Sequence, residues 1–273
     1  MATMVVTGAS AGIGAAAAIE LTRQGHQVLA TGRSPAKLAA THEQMVAVAP
    51  AGLDVGEPLA ADLSRLDDVR RLAEVVLARC PRLDVLANNA GVQTRRRQVS
   101  PDGFELTFAV NHLAAFLLTN LLLDRLGLSG GRVVTTSSGG HRIGRIDFDD
   151  IQMEKRWGAL RSYGRSKLAN ILFTTELRKR SDLPASCYHP GGVNTDLSRD
   201  YWFSSLARAL GKYAMRTPEK GADTLVWLAT STEGASPTAV YYANRKPANA
   251  SAVARDNQVA AQLWDVSAKL VGL

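Results

Sequence analysis

Two cysteines in 273 residues, Cys80 and Cys187, with no CxxC spacing and no histidine cluster beside them, offer nothing from which to build a disulfide framework or a structural zinc site. Aromatic residues are scarce at 6%, prolines number 10, and no proline-rich or low-complexity tract divides the chain. Long hydrophobic runs are missing too. The longest apolar stretch, Leu113 to Leu123, is interrupted by Thr119 and Asn120, and falls short of the roughly 18 to 20 residues of a membrane span. Met1 to Thr7 run straight into a glycine-rich turn, with no room for the segments of an export signal. The expectation is a cytoplasmic protein with reduced thiols. Acidic charge is in deficit, since 25 Asp and Glu stand against 32 Lys and Arg, leaving +7. Such an excess fits nucleic acid, an anionic surface or a phosphorylated ligand. With no helix-turn-helix, finger or basic module interleaved with aromatics, nucleic acid is not expected, and the run Arg95–Arg97 reads as a solvated loop.

What is present is a rhythm. Short β-rich runs at Thr3–Thr7, His26–Thr31, Leu59–Ala61, Leu83–Ala87, Arg132–Thr136, Ala185–His189 and Ala239–Tyr242 alternate with helical periods at Ala15–Gln24, Pro35–Val48, Arg65–Ala78, Gly103–Arg125 and Leu160–Arg180. Parallel strands need crossover helices, so the alternation predicts an α/β fold: a doubly wound parallel sheet in a Rossmann-type three-layer sandwich, with residues 1–273 forming a single domain. Residues 196–216 break the rhythm and carry Tyr201, Trp202, Phe203, Leu206, Leu210 and Tyr213. They are expected to form a substrate-loop insertion, a helical lid over an apolar substrate, with packing on the core as the alternative.

Three local patterns carry chemistry. The first strand ends in TGASAGIG, which places Gly8, Gly12 and Gly14 between a strand and a helix. A turn of that kind lets backbone N–H groups approach a pyrophosphate at a helix N-terminus, where the dipole favours anions. At the end of the second strand, where an NAD site places a carboxylate, the chain reads Thr31-Gly32-Arg33-Ser34. A missing carboxylate and a guanidinium favour the 2′-phosphate of NADP, with NAD as the alternative. Finally, Tyr163 and Lys167 lie four residues apart, on one face of a helix. Proton exchange by tyrosine near neutrality needs its pKa lowered from 10 by about 3 units, and a neighbouring ammonium supplies part of that.

Taken in order, TGASAGIG at 7–14, Asp62-Leu63, NNAG at 88–91, Asn111 in VNHL, Ser137-Ser138, Tyr163 with Lys167, and PGGVNT at 190–195 resemble the short-chain dehydrogenase/reductase family over essentially the whole chain. The segments DGFELTFAVNHLAAFLLTNLLL and SYGRSKLANILF and the C-terminal stretch resemble its retinol-dehydrogenase-like branch.

The resemblance implies an enzyme in which Tyr163 exchanges a proton with the substrate oxygen while hydride moves to or from a nicotinamide. Lys167 would lower the Tyr163 pKa and hold the ribose. Ser138, with Ser137 as second choice, would bond the substrate oxygen, and Asn111 would organise a water-linked relay to Lys167. Ser10 and Ile13 would join the glycine turn against the cofactor. Asp62 and Leu63 would flank the adenine, and Asn89, Ala90 and Gly91 the ribose side. Pro190, Gly191, Val193 and Thr195 would embrace the nicotinamide. The Ser138–Tyr163 interval is longer than in many members and contains Asp147, Asp149 and Asp150, read as a solvated loop, so no metal is expected. The implied reaction interconverts an apolar, aryl or polyketide-like ketone or aldehyde and its alcohol. A step without net redox on the same fold, and a non-catalytic dinucleotide sensor, remain open. A homodimer or homotetramer through the helices at Gly103–Arg125 and Leu160–Arg180 is the association the resemblance implies, with a monomer open.

Overall fold

The computed structural model describes residues 1–193 and 216–273. The first strand, β1 (Thr3–Thr7), leads through the glycine turn into α1 (Gly12–Arg23), followed by β2 (Gln27–Gly32), α2 (Pro35–Val48), β3 (Leu59–Ala60), α3 (Leu66–Arg79) and β4 (Val85–Asn88). A second half adds α4 (Leu106–Phe108), a π turn (Ala109–Leu113), α5 (Ala114–Leu121), α6 (Leu123–Leu128), β5 (Arg132–Thr136), α7 (Ala159–Arg180) and β6 (Ala185–His189). After residue 216 come α8 (Pro218–Thr230), α9 (Thr232–Ala235), β7 (Tyr241–Ala243), β8 (Lys246–Pro247) and α10 (Asn257–Val271).

The sheet order is β3-β2-β1-β4-β5-β6-β7-β8, parallel except for β8, which pairs antiparallel with β7. Strand side chains alternate between two cores because the strand period is two. Met4, Val6, Val28, Ala30, Val85 and Ala87 pack under α1, α2 and α8. Their neighbours Val5, Leu29, Leu86 and Val133 pack under α3, α5, α7 and α10. Burial on both faces explains why these strands read as continuous apolar runs. Chain order reverses between β1 and β4, and the crevice at the carboxyl ends of strands at such a reversal is where open α/β sheets bind ligands.

Some boundaries differ from the sequence reading. Helix α1 starts at Gly12 rather than Ala15, inside the glycine turn itself. The expected single helix Gly103–Arg125 is three α segments and a π turn, because Glu105 caps its start and the chain holds one residue more than α geometry allows around Asn111. The β7–β8 hairpin is absent from the sequence reading; its two-residue turn, Asn244-Arg245, has both φ angles positive, at 52° and 58°.

The last helix has the sequence signs of a stable one: Asp256 accepts from the amides of Gln258 and Val259 at its start, and Gly272 ends it in the left-handed region. It lies over the seam between α5 and α7. Trp264 meets Phe116 edge-on and stacks on Phe173, and Ser267 Oγ lies 2.9 Å from His112 Nε2. The two helices expected to carry subunit association are thus covered on this side by the chain's own C-terminal helix. No helix among the described residues is long and apolar enough to cross a membrane. Of the expected insertion, residues 196–215 lie outside the described residues, as does Thr195.

Candidate active site

A cavity of about 720 Å³ opens at the carboxyl ends of the strands, over the β1/β4 reversal. One end is the glycine turn. Gly8 has φ +69°, and a Cβ there would stand 2.7 Å from Ala90 Cα; a Cβ on Gly14 would stand 2.3 Å from the Gly8 carbonyl oxygen. These two glycines bring helix, strand and neighbouring turn into backbone contact. The turn is stitched to the NNAG segment through one hydroxyl: Thr7 Oγ1 donates to the Ala87 carbonyl and accepts from the amides of Asn89 and Ala90 at 2.9 and 3.0 Å. Asn89 Nδ2 returns a bond to the Thr7 carbonyl at 3.0 Å. Helix α1 has no side-chain cap at Ala11 and no acidic residue in its first turn. Its free N–H groups and dipole are directed at the cavity wall formed by Gly12, Ile13 and Gly14.

Beyond β2, the cavity is lined by Gly32, Arg33, Ser34 and Lys37, and across from them by Ala61, Asp62 and Leu63. Gly32 leaves room for Ser10, whose Oγ would be 3.0 Å from a Cβ placed there. The Asp62 carboxylate is engaged by the amide and hydroxyl of Ser64 at 3.0 and 2.8 Å. Lys37 is missing from the sequence reading. Ser34 caps α2, accepting from the Lys37 amide, and places Lys37, in the first turn of that helix, on the cavity wall.

At the other end stand Ser138, Tyr163 and Lys167, with Pro190, Gly191 and Val193. The two adjacent serines differ in use. Ser137 is fully buried and donates to the Lys167 carbonyl at 2.8 Å. Ser138 Oγ accepts from the Gly140 amide at 3.1 Å, and its hydroxyl meets the Tyr163 phenol. Gly140 also clears space for Tyr163, whose ring carbons would lie 3.3 and 3.4 Å from a Cβ on that glycine. Burial pushes the Tyr163 phenol up, and the Ser138 hydroxyl pulls against that shift. Lys167 Nζ donates to the Thr136 carbonyl at 3.1 Å and lies 5.6 Å from the centre of the Tyr163 ring. Burial pulls its pKa down to about 8, so its charge is incomplete in mildly alkaline solution. In the protein alone the Tyr163 phenol is thus raised rather than lowered.

Asn111 sits in the π turn and is buried behind the cavity wall rather than on it. Its Oδ1 accepts from the Val92 amide at 2.7 Å, and its Nδ2 donates to the Val92 carbonyl at 3.0 Å and to Ser166 Oγ at 2.9 Å. Gly91 separates it from Lys167: a Cβ there would lie 3.4 Å from Asn111 Oδ1 and 3.5 Å from Lys167 Nζ. The amide thus has a structural task, holding the strand-to-helix turn beside the cavity.

The long Ser138–Tyr163 interval is tied down by a buried ion pair. Arg165 Nη2 and Glu105 Oε2 are 2.9 Å apart, with side chains 2% and 0% exposed. Glu105 also accepts from Trp157 Nε1 and from the Phe108 amide, and Arg165 donates to the Ile151 carbonyl. Arg97 donates to the Gln152 carbonyl at 3.2 Å. The carboxylates of Asp147 and Asp150 accept from the amides of Asp149, Glu154 and Lys155. No group of His, Cys, Asp and Glu among the described residues has a metal-binding arrangement.

All cofactor-side residues expected from the sequence line this cavity, save Thr195, which lies outside the described residues. The family model for short chain dehydrogenases matches residues 2–203. "Putative daunorubicin C-13 ketoreductase DnrU" of Streptomyces sp. (strain C5) is 42% identical over 272 residues, covering 99% of this chain and 92% of the relative. Human retinol dehydrogenase 14 is 38% identical over 290 residues, covering 99% and 86%. Among solved structures, an uncharacterized protein from Mycobacterium Paratuberculosis superposes with a TM-score of 0.79 at 34% identity, covering 100% of this chain and 94% of that one. A metagenomic short-chain oxidoreductase in complex with NADP gives 0.59 at 29%, covering 85% and 92%. The chain is an oxidoreductase that belongs to the short-chain dehydrogenase/reductase family, in its retinol-dehydrogenase-like branch.

Proposed function

We propose that the chain interconverts an apolar, aryl or polyketide-like ketone or aldehyde and its alcohol by direct hydride transfer with NADP, Tyr163 serving as acid and base. One observation carries the reading: a single cavity joins an uncapped helix N-terminus, flanked by Arg33 and Lys37, to Ser138, Tyr163 and Lys167. The groups present suit the cofactor. Free N–H groups at Gly12 to Gly14 match a pyrophosphate, and two cations with no carboxylate at residue 32 match a 2′-phosphate. The related metagenomic oxidoreductase was solved with NADP. Bound there, the nicotinamide supplies or accepts the hydride.

In the reducing direction Tyr163 donates its phenolic proton to the carbonyl oxygen as that oxygen gains negative charge, and Ser138 donates a hydrogen bond to the same oxygen. Lys167, when protonated, favours the phenolate left behind. On this side the apolar Leu160 lines the cavity and is 55% exposed. The names of the relatives point to a ketone of daunorubicin and to retinol. NADPH oxidation with a panel of aryl and polycyclic ketones tests the reading. Tyr163→Phe should cut turnover by about a hundred- to ten-thousand-fold while NADPH still binds. Retained turnover would overturn the role of Tyr163.

A further inference from the structure

His189 ends β6 one residue before the turn that lines the reacting end of the cavity. Its Nδ1 receives two backbone N–H groups from different segments: Gly139 at 3.1 Å and Gly191 at 3.3 Å. Gly139 directly follows Ser138, and Gly191, at φ +86°, lies on the cavity wall. The imidazole also lies close to Gly139, where a Cβ would be 3.5 Å from Nε2. On the other side of Ser138, the His141 ring donates from Nδ1 to the Ser138 carbonyl at 2.7 Å and accepts from the Ser251 amide at Nε2, which fixes that ring as neutral.

We infer that His189 is a positioning residue: its unprotonated Nδ1 locks the Ser138–Gly140 turn to the Pro190–Gly191 turn, so that the Ser138 hydroxyl keeps its place across the cavity only while His189 is neutral. The inference rests on the reacting end assigned under the proposed function. An imidazole nitrogen that accepts two N–H groups cannot carry a proton of its own. Among the described residues, the charged or titratable groups facing the ring are Arg216, on the segment bridged to Val193, and His141, in the turn after Ser138. Both disfavour a charge on it, as does burial, and the His189 pKa falls below the usual 6.5. The lock is therefore closed at neutrality and opens as pH falls below that range.

Three substitutions separate acceptor geometry from bulk. The Oδ1 of His189→Asn occupies the place of Nδ1 and cannot be protonated; His189→Gln reaches toward the Nε2 position; His189→Ala offers no acceptor. At about pH 8 the Ala and Gln variants should lose kcat by about ten- to a hundredfold, with NADPH Kd changed less than about threefold, while His189→Asn recovers most of the loss. The fall of wild-type kcat on the acid side of the usual histidine range should be shallower in His189→Asn. Hydrogen exchange, which needs no substrate, should show the Gly139 and Gly191 amides protected in the wild type and in His189→Asn, and faster in the other two. Wild-type kcat in His189→Ala, or His189→Asn no better than His189→Gln in both kinetics and exchange, would overturn the lock. A wild type that reduces no carbonyl with NADPH would instead overturn the proposed function, and the exchange measurement would still decide the lock.

Discussion

Lys167 is buried at the end of the cavity with its ammonium largely withdrawn from water, and a pKa of about 8 against an ordinary 10.5 measures the cost at about 3 kcal/mol. Its sign is destabilising: below about pH 8 the folded protein keeps a buried charge, and stability rises from there to about 10.5, where the unfolded lysine also loses its proton. Lys167→Met should therefore abolish turnover and yet raise Tm by about 4 °C at neutral pH, since the Thr136 carbonyl keeps Asn170 Nδ2 as a donor at 3.1 Å. A lower Tm in a thermal melt would contradict this. At the far end of the cavity, Arg33→Ala and Lys37→Ala should each raise the KM for NADPH by about tenfold and leave that for NADH unchanged, read by steady-state titration. The sequence makes Arg33 legible because the end of β2 is a fixed landmark. It hides Lys37, whose approach to the cavity depends on how Ser34 turns the chain into α2. The serine pair is split by its partners, a carbonyl thirty residues away on Lys167 for Ser137 and the nearby Gly140 amide for Ser138, so spacing alone ranks them without showing why.

At the level of elements, the interval between Ser138 and Tyr163 is held to α7 and α4 by charges that have left water entirely. A carboxylate stranded without its guanidinium costs about 3 to 5 kcal/mol. Arg165→Met should lower stability by that amount in denaturant titration, and the loss should be smaller when Glu105→Gln accompanies it, because the double variant buries no unpaired charge. Additive losses would show the two residues to be independent. Alternation of strands and helices is legible because both faces of this sheet are covered and each crossover needs a helix. The π turn is not, since one surplus residue near Asn111 leaves the apolar pattern of Leu106 to Leu121 unbroken. The Asn244-Arg245 hairpin escapes notice for a related reason: neither residue is glycine, yet both take left-handed backbone conformations.

For the whole molecule, four of the five histidines, His26, His112, His141 and His189, have pKa values pulled below 6.5 with burial as the leading cause, His112 to about 3. Each stays neutral in the fold and takes up a proton on unfolding, so stability declines as pH falls below 6.5, by up to about 1.4 kcal/mol per pH unit for each such proton. His112→Gln should flatten the dependence between about pH 6 and 4 by roughly one proton, measured by urea titration across that range; an unchanged slope would remove His112 from the account. Cofactor binding acts on the same balance from the other side. NADPH at about a hundred times its Kd should add about 2.7 kcal/mol, and NADH at equal concentration less. The π turn bears on all of this through phase. Each residue in an α-helix advances about 100° around the axis, but the surplus residue is taken up within the π turn, so deleting one residue between Ala109 and Leu113 would restore regular geometry and leave Phe116 in phase with Trp264. The irregular turn beside the cavity and the seat of the last helix are thus separable, and straightening the first would disturb the Asn111 bonds to Val92 while the second stays in place.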